Sequence, residues 1–138
     1  MQSVEVRGMD EIAQALEDLP RVIEEARAEV FEEIGQELLP AVQARIGGSG
    51  SVAGAQEYVV GSGKGYVAVR AKRNAQIKGY AAGYVTNALE HGHKVRNSKA
   101  HVSGKYMYRE TANDEMAKTA ETVRKRIEEA ALKRLEEK

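Results

Sequence analysis

From Val22 to Ile46 an apolar side chain returns at every fourth position: Val22, Ala26, Val30, Ile34, Leu38, Val42 and Ile46. Sustained over so long a segment, that spacing reads as one face of a long helix. Four residues advance about 400°, so the stripe drifts some 40° per step around the axis, and the helix meets different neighbours along its length. Ile23, Phe31 and Leu39 widen the stripe, while Glu24, Glu25, Glu29, Glu32, Glu33 and Glu37 occupy the other faces. So many like charges call for basic partners nearby. Pro20 suits the first turn of this helix, and Pro40 is expected to kink its last turns. Before it, Met9, Ile12, Leu16 and Leu19 predict a shorter helix with Asp10 as N-cap, ending at Leu19-Pro20 because a proline disfavours the α conformation in the residue before it. Val4 and Val6 around Glu5 predict an edge strand ahead of Gly8.

The rest of the chain changes character. Residues 47–54 read as a flexible glycine-rich connector. Glu57 to Val60 and Tyr66 to Val69 predict two strands joined through the glycine-rich run 61–65, a hairpin. Ala81, Tyr84, Val85, Ala88 and Leu89 fall at helical spacing, which predicts a short helix over 80–90 closed by Gly92. Residues 93–105 are polar and basic and read as a long exposed loop. A final helix is expected from Thr111, whose hydroxyl and Asp114 resemble a capping box. Its apolar face would be Met116, Ala120, Val123, Ile127 and Ala131, with Glu121–Lys125 and Glu129–Lys133 as supporting i,i+4 pairs. No internal repeat is visible. The expected fold is α+β: long N-terminal and C-terminal helices on a small antiparallel sheet containing a glycine-rich hairpin, in one domain spanning 1–138.

Composition narrows the function. The 138 residues include no Trp and one Phe, and alanine supplies much of the 42% hydrophobic fraction. The expected core is thin, with apolar positions completed by a neighbouring subunit. The absence of cysteine excludes disulfides, thiolate metal sites and cysteine nucleophiles. No apolar run approaches the ~20 residues of a membrane helix, and Met1 to Asp10 carries no leader pattern, so a soluble, cytosolically made protein without membrane contact is expected. The net charge of zero conceals a segregation. Residues 1–46 hold 11 acidic and 4 basic side chains, residues 47–110 hold 3 and 10, and residues 111–138 hold 7 of each. Such blocks are either solvated faces of one monomer or complementary surfaces that set register between subunits.

Catalytic motifs are missing. The glycine-rich run around Lys64 fails the phosphate-loop pattern, which requires glycine where Tyr58 stands and Ser or Thr where Gly65 stands. His91, His93 and His101 could supply three nitrogens to a metal, but Lys94, Arg96, Lys99 and Lys105 would repel a cation and Glu90 is the one nearby carboxylate. The serines lie in loops rather than on a strand–turn–helix elbow. No catalytic, cofactor-binding or metal residue is assigned. The basic loop followed by Tyr106 and Tyr108 either contacts nucleic acid through phosphates and stacking or docks on an acidic protein surface, such as the glutamate-rich helix of a neighbour.

The order of elements adds a resemblance. The opening Val4-Glu5-Val6-Arg7-Gly8-Met9-Asp10-Glu11-Ile12 leads to an acidic helix and a glycine-rich hairpin. Leu89-Glu90-His91-Gly92-His93-Lys94 and Val102-Ser103-Gly104-Lys105-Tyr106-Met107 follow, then a last charged helix. This resembles the tail-completion (minor tail, head–tail joining) protein family of long-tailed bacteriophages, most closely at Glu90-x-Gly92-His93 and Gly104-Lys105-Tyr106-Met107. Many members place a proline and an Asp-Thr-Gly turn before the hairpin; here Pro40 lies earlier and residues 47–54 take that turn's place. The resemblance implies a structural virion protein of the tail or neck, assembled in the bacterial host cytoplasm. It implies a homo-oligomeric ring, a hexamer, around the DNA channel. Its partners would be a head-side connector or stopper protein and a tail terminator or tail-tube protein, with DNA only as non-specific cargo. The residues expected to make partner contacts are Glu90, His91, Gly92, His93, Lys94, Arg96, Lys105, Tyr106 and Tyr108. The competing expectation is a small nucleic-acid-binding module using the basic segment 93–109.

Overall fold

The computed structural model describes residues 8–47, 50–61, 65–95 and 98–137. The expected strand at Val4–Val6, the tip of the first hairpin and Arg96 lie outside the described residues. The architecture is α+β, as the sequence predicts: long N-terminal and C-terminal helices with small antiparallel sheets between them. Helix α1 (Met9–Ile46) is followed by one helical turn, α2 (Ser51–Gly54), and by strands β1 (Gln56–Val60) and β2 (Val67–Ala71). Next come β3 (Gln76–Ile77), β4 (Tyr80–Ala81), helix α3 (Ala82–His91), β5 (Gly92–Lys94), β6 (His101–Ser103) and helix α4 (Met107–Glu136). The expected single sheet is three separate two-stranded ones, β1–β2, β3–β4 and β5–β6.

Helix α1 runs unbroken through Pro20 and Pro40, where a helix boundary at Leu19-Pro20 was expected. An interior proline costs roughly 3 kcal/mol. Both prolines are exposed, and so are Leu16 and Gln36, whose carbonyls lose their partners, so water can satisfy those groups. Packing on both sides of Pro20 then outweighs the local penalty. Ala15 is buried, and Asp18 Oδ2 accepts from Arg134 of α4 at 2.6 Å. The N-cap is Gly8, in the left-handed region at φ 83°, rather than Asp10, and Asp10 and Glu11 sit in the first turn, where negative charge suits the helix dipole.

The four-residue stripe is the buried face of α1: Val30, Ile34, Val42 and Ile46 are buried, with Val22, Ala26 and Leu38 partly so. Its N-terminal half lies against α4, and its C-terminal half also carries β1 and β2. Gly35 permits that second contact, because the Tyr58 ring of β1 fills the space a Cβ would take. Tyr58 also donates its hydroxyl to Glu32 at 3.0 Å. Helices α1 and α4 are antiparallel and cross-linked by charge. Arg126 forks onto Glu33 at 2.6 and 3.0 Å, Arg134 holds Asp18, and Arg45 pairs with Asp114.

Helix α4 starts at Met107, four residues before the expected Thr111. Thr111 is an interior residue whose hydroxyl donates to the Met107 carbonyl at 2.6 Å and accepts from Arg45 Nη1 at 3.0 Å. The face toward α1 is rotated from the one expected. Val123, Ile127 and Ala131 are partly buried, but Met116 is 67% exposed and Ala120 is exposed, while Thr119, Thr122 and Arg126 are partly buried. Polar α1 partners such as Glu33 therefore recruit a face that hydrophobicity alone does not mark.

The core is small and sits where the C-terminal half of α1 meets the middle segment. One cluster joins Val42, Ile46, Ala53 and Met107, packed by Val69 and Leu89; a second joins Ala55, Ile77 and Ala82. Val52 bridges both. The connector 47–54 thus contributes buried side chains rather than acting as a bare tether.

Candidate partner-binding site at the α3–α4 junction

The two sequence segments singled out above, around Glu90 and around Tyr106, meet in space. Helix α3 ends at His91, and Gly92 takes φ 84°, a value that favours glycine. There the chain turns into β5, which pairs with β6 in the register Gly92↔Ser103, His93↔Val102 and Lys94↔His101. Segment 93–105, expected as a loop, is therefore built around a hairpin. Its root is tight: a Cβ on Gly92 would overlap the Val102 carbonyl, and one on Gly104 would overlap the Glu90 carbonyl and the His91–Gly92 backbone. Glycine at both positions lets the two backbones pass.

After β6 the chain returns along the end of α3. The Lys105 N–H donates to the Leu89 carbonyl at 2.8 Å and the Tyr106 N–H to the Glu90 carbonyl at 3.0 Å. Tyr106 is the N-cap of α4 in a left-handed conformation, φ 49°, with no cap from its own side chain. The cap comes from α3. Glu90, only 5% exposed, accepts the Tyr108 N–H on Oε2 at 2.9 Å and the Arg109 N–H on Oε1 at 3.1 Å. A carboxylate here satisfies two amides that no helical carbonyl can reach and lies at the positive end of the helix dipole.

Tyr108 extends the polar core inward. Its hydroxyl donates to Gln56 Oε1. Gln56 Nε2 in turn donates to the Thr86 hydroxyl at 3.0 Å and the Val52 carbonyl at 3.1 Å. Gln56 and Thr86 are 2% and 3% exposed, so this chain of bonds ties α2, β1, α3 and α4 together inside the protein. Burial, reinforced by the Glu90 charge, pushes the Tyr108 phenol up to about 12.

Eight of the nine expected contact residues are described, and they divide. Glu90, Gly92, Tyr106 and Tyr108 build the junction, and Glu90 and Tyr108 face inward. His91, His93, Lys94 and Lys105 are exposed, and the Arg109 guanidinium lies 3.8 Å from the Tyr106 ring centre. The junction thus roots a basic hairpin that projects imidazole and ammonium groups into solvent. Among the described residues no three His, Asp or Glu side chains gather as a metal site, and no helix is long and apolar enough to cross a membrane.

Gln56 and Thr86 are not among the residues expected from the sequence, being single polar residues in otherwise unremarked segments. A second surface was not expected either. Tyr80 and Tyr84, 60% and 69% exposed, stack with ring centres 6.1 Å apart and planes 27° from parallel. The signal was available in the charge order, because no acidic residue occurs between Glu57 and Glu90.

No protein-family model, curated protein or solved structure matches this chain.

Proposed function

We propose that the chain is a non-catalytic assembly subunit that completes the tail of a long-tailed bacteriophage and joins it to the head connector, as a ring around the DNA channel. The observation that carries the reading is the junction itself. The two short segments on which the resemblance rests, Glu90 to His93 and Gly104 to Met107, pack on each other through Glu90, Gly92 and Gly104. Their joint product is an exposed basic hairpin with a rigid root, a form suited to contact rather than turnover.

Two further features support the reading. Large apolar side chains stay exposed on both long helices, including Met9, Ile12 and Leu16 on α1 and Leu132 and Leu135 on α4. Apolar surface of this kind marks contact sites. The open grooves between these helix ends are lined by arginine, lysine, glutamate, alanine, valine, isoleucine and leucine, a mixture of charge and apolar area that suits contact with another protein.

The test is binding to a purified tail-tube or connector protein, followed by native mass measurement. The reading expects a complex that weakens at least about tenfold when His93, Lys94 and Lys105 are replaced together by alanine, the scale of a lost interfacial anchor. Unchanged affinity in that variant removes the hairpin from the contact. Tight binding to duplex DNA that falls steeply with salt favours instead the nucleic-acid-binding module at 93–109.

A further inference from the structure

A patch formed by β3, β4 and the start of α3 differs from the hairpin described above. Lys78 and Gly79 form the two-residue turn between Ile77 and Tyr80, with φ 51° and 83°. That geometry holds Lys78 at the tip. Tyr80 and Tyr84 stack beside it and expose most of their rings. Arg73 is exposed on the preceding turn. Neighbouring cations are already engaged: Arg70 with Glu57 at 3.3 Å, and Lys72 with the Gly54 carbonyl at 3.1 Å. Arg73 and Lys78 make no ion pair among the described residues. An aromatic pair flanked by unpaired cations has the composition of an interface anchor.

A matching surface exists on the same chain. On α1, Asp10, Glu17 and Glu24 recur every seven residues, and seven residues complete two turns to within about 20°. Ala13 and Pro20 lie between them, and all five are exposed. This stripe points away from α4, because it is offset by about 200° from the inward Ala15 and Val22. Asp18, Glu25 and Glu33 have arginine partners, whereas Asp10, Glu17 and Glu24 have none among the described residues.

The two patches cannot meet within one molecule. The tyrosine patch packs through Ile77 and Ala82 onto Ala55 and Val52, near the Ile46 end of α1. Glu24 lies 22 residues earlier on the same helix, roughly 33 Å away at 1.5 Å per residue. Acidic and basic surfaces at different ends of one chain are a head-to-tail pair.

We infer that the Arg73–Lys78–Tyr80–Tyr84 surface of one copy docks on the Asp10–Glu17–Glu24 face of α1 in the next. The inference rests on the assembly reading and names the surfaces that would make it. The tyrosine rings cover Ala13 and Pro20, small and rigid positions that leave room for them, while Lys78 and Arg73 reach the carboxylates. A nucleic-acid strand is the weaker occupant. Two cations give a salt slope of only about −1.4 on a single strand, whereas three carboxylates at helical spacing offer fixed partners.

The chain has no cysteine, so single thiols can be placed beside the surfaces without disturbing them. Asn87→Cys lies one turn beyond Tyr84, and Met9→Cys lies one turn before Ala13 at the edge of the acidic stripe; both positions are exposed. Mixed in equal amounts with a short bismaleimide linker, the two variants should give the mixed dimer in about tenfold excess over either homodimer. Arg73→Glu with Lys78→Glu in the Asn87→Cys copy should bring the yield down to the statistical level. Glu17→Lys with Glu24→Lys in the Met9→Cys copy should restore it. Statistical cross-linking from the start overturns the inference. If wild-type mass still grows with concentration in that case, assembly survives through another surface; if it does not grow and no tail protein binds, the assembly reading falls too. An oligothymidylate probe that binds wild type, and not Tyr84→Ala, alongside statistical cross-linking assigns the patch to nucleic acid and also overturns the inference.

Discussion

Glu90 shows how a residue chosen for its motif can act inward. Its carboxylate caps two amides of α4 from the end of α3, so Glu90→Ala leaves two donors unpaired in a nearly buried site. The expected loss is about 2–4 kcal/mol, read from urea unfolding, with Glu90→Gln less damaging because its carbonyl still accepts one bond. Gly92→Ala faces both a left-handed φ and the Val102 carbonyl. It should lose at least about 2 kcal/mol, and an unchanged unfolding midpoint would contradict the described hairpin root. Tyr108 allows a sharper check. Its phenol is held neutral up to about 12, above the ordinary value of about 10. A raised folded-state value means that its contribution to stability is complete below the unfolded value and is lost as pH rises through the interval from about 10 to about 12. Ultraviolet titration should therefore show one late tyrosine that Tyr108→Phe removes.

Among the elements, the pairing of α1 with α4 depends on charge as much as on apolar contact. The Arg134 guanidinium, with help from Gln14, holds the Asp18 carboxyl below its ordinary value, and Arg126 does the same for Glu33. Lowered carboxylate values stabilise the fold above the ordinary carboxylate range, and that contribution is lost as pH falls through and below it. Thermal stability should thus stay level from pH 7 to about pH 5 and drop below about pH 4; the drop should shrink in a variant carrying both Asp18→Asn and Glu33→Gln. Gly35→Ala, which drives a Cβ into the Tyr58 ring, should cost about 1–3 kcal/mol and is measurable by the same melting curves. These contacts also explain what the sequence disclosed. The stripe from Val22 to Ile46 and the first hairpin were readable because apolar periodicity is a local signal. The continuity of α1 through Pro20 was not, because Arg134, 114 positions away in sequence, helps hold the helix past the proline. The start of α4 was missed for a similar reason: its cap is a side chain from α3. The β3–β4 turn uses Lys78-Gly79, which lacks the Asn-Gly pattern that makes such turns visible.

For the whole molecule, charge segregation has acquired an address. Part of the acidic excess of α1 is answered within the chain by α4, while the exposed Asp10, Glu17 and Glu24 make no ion pair among the described residues. The basic middle divides into the β5–β6 hairpin and the tyrosine patch, on different elements. Sequence motifs led to the first of these, because they carried a family resemblance; burial and exposure were needed to find the second. Assembly of the chain is the proposal on which the others rest. Native mass at several concentrations, with and without tail-tube protein, tests it. Oligomers larger than a dimer should grow with concentration or close into a ring when the tube protein is added. A monomer that keeps its mass under every condition and forms no complex with tube or connector protein would contradict it.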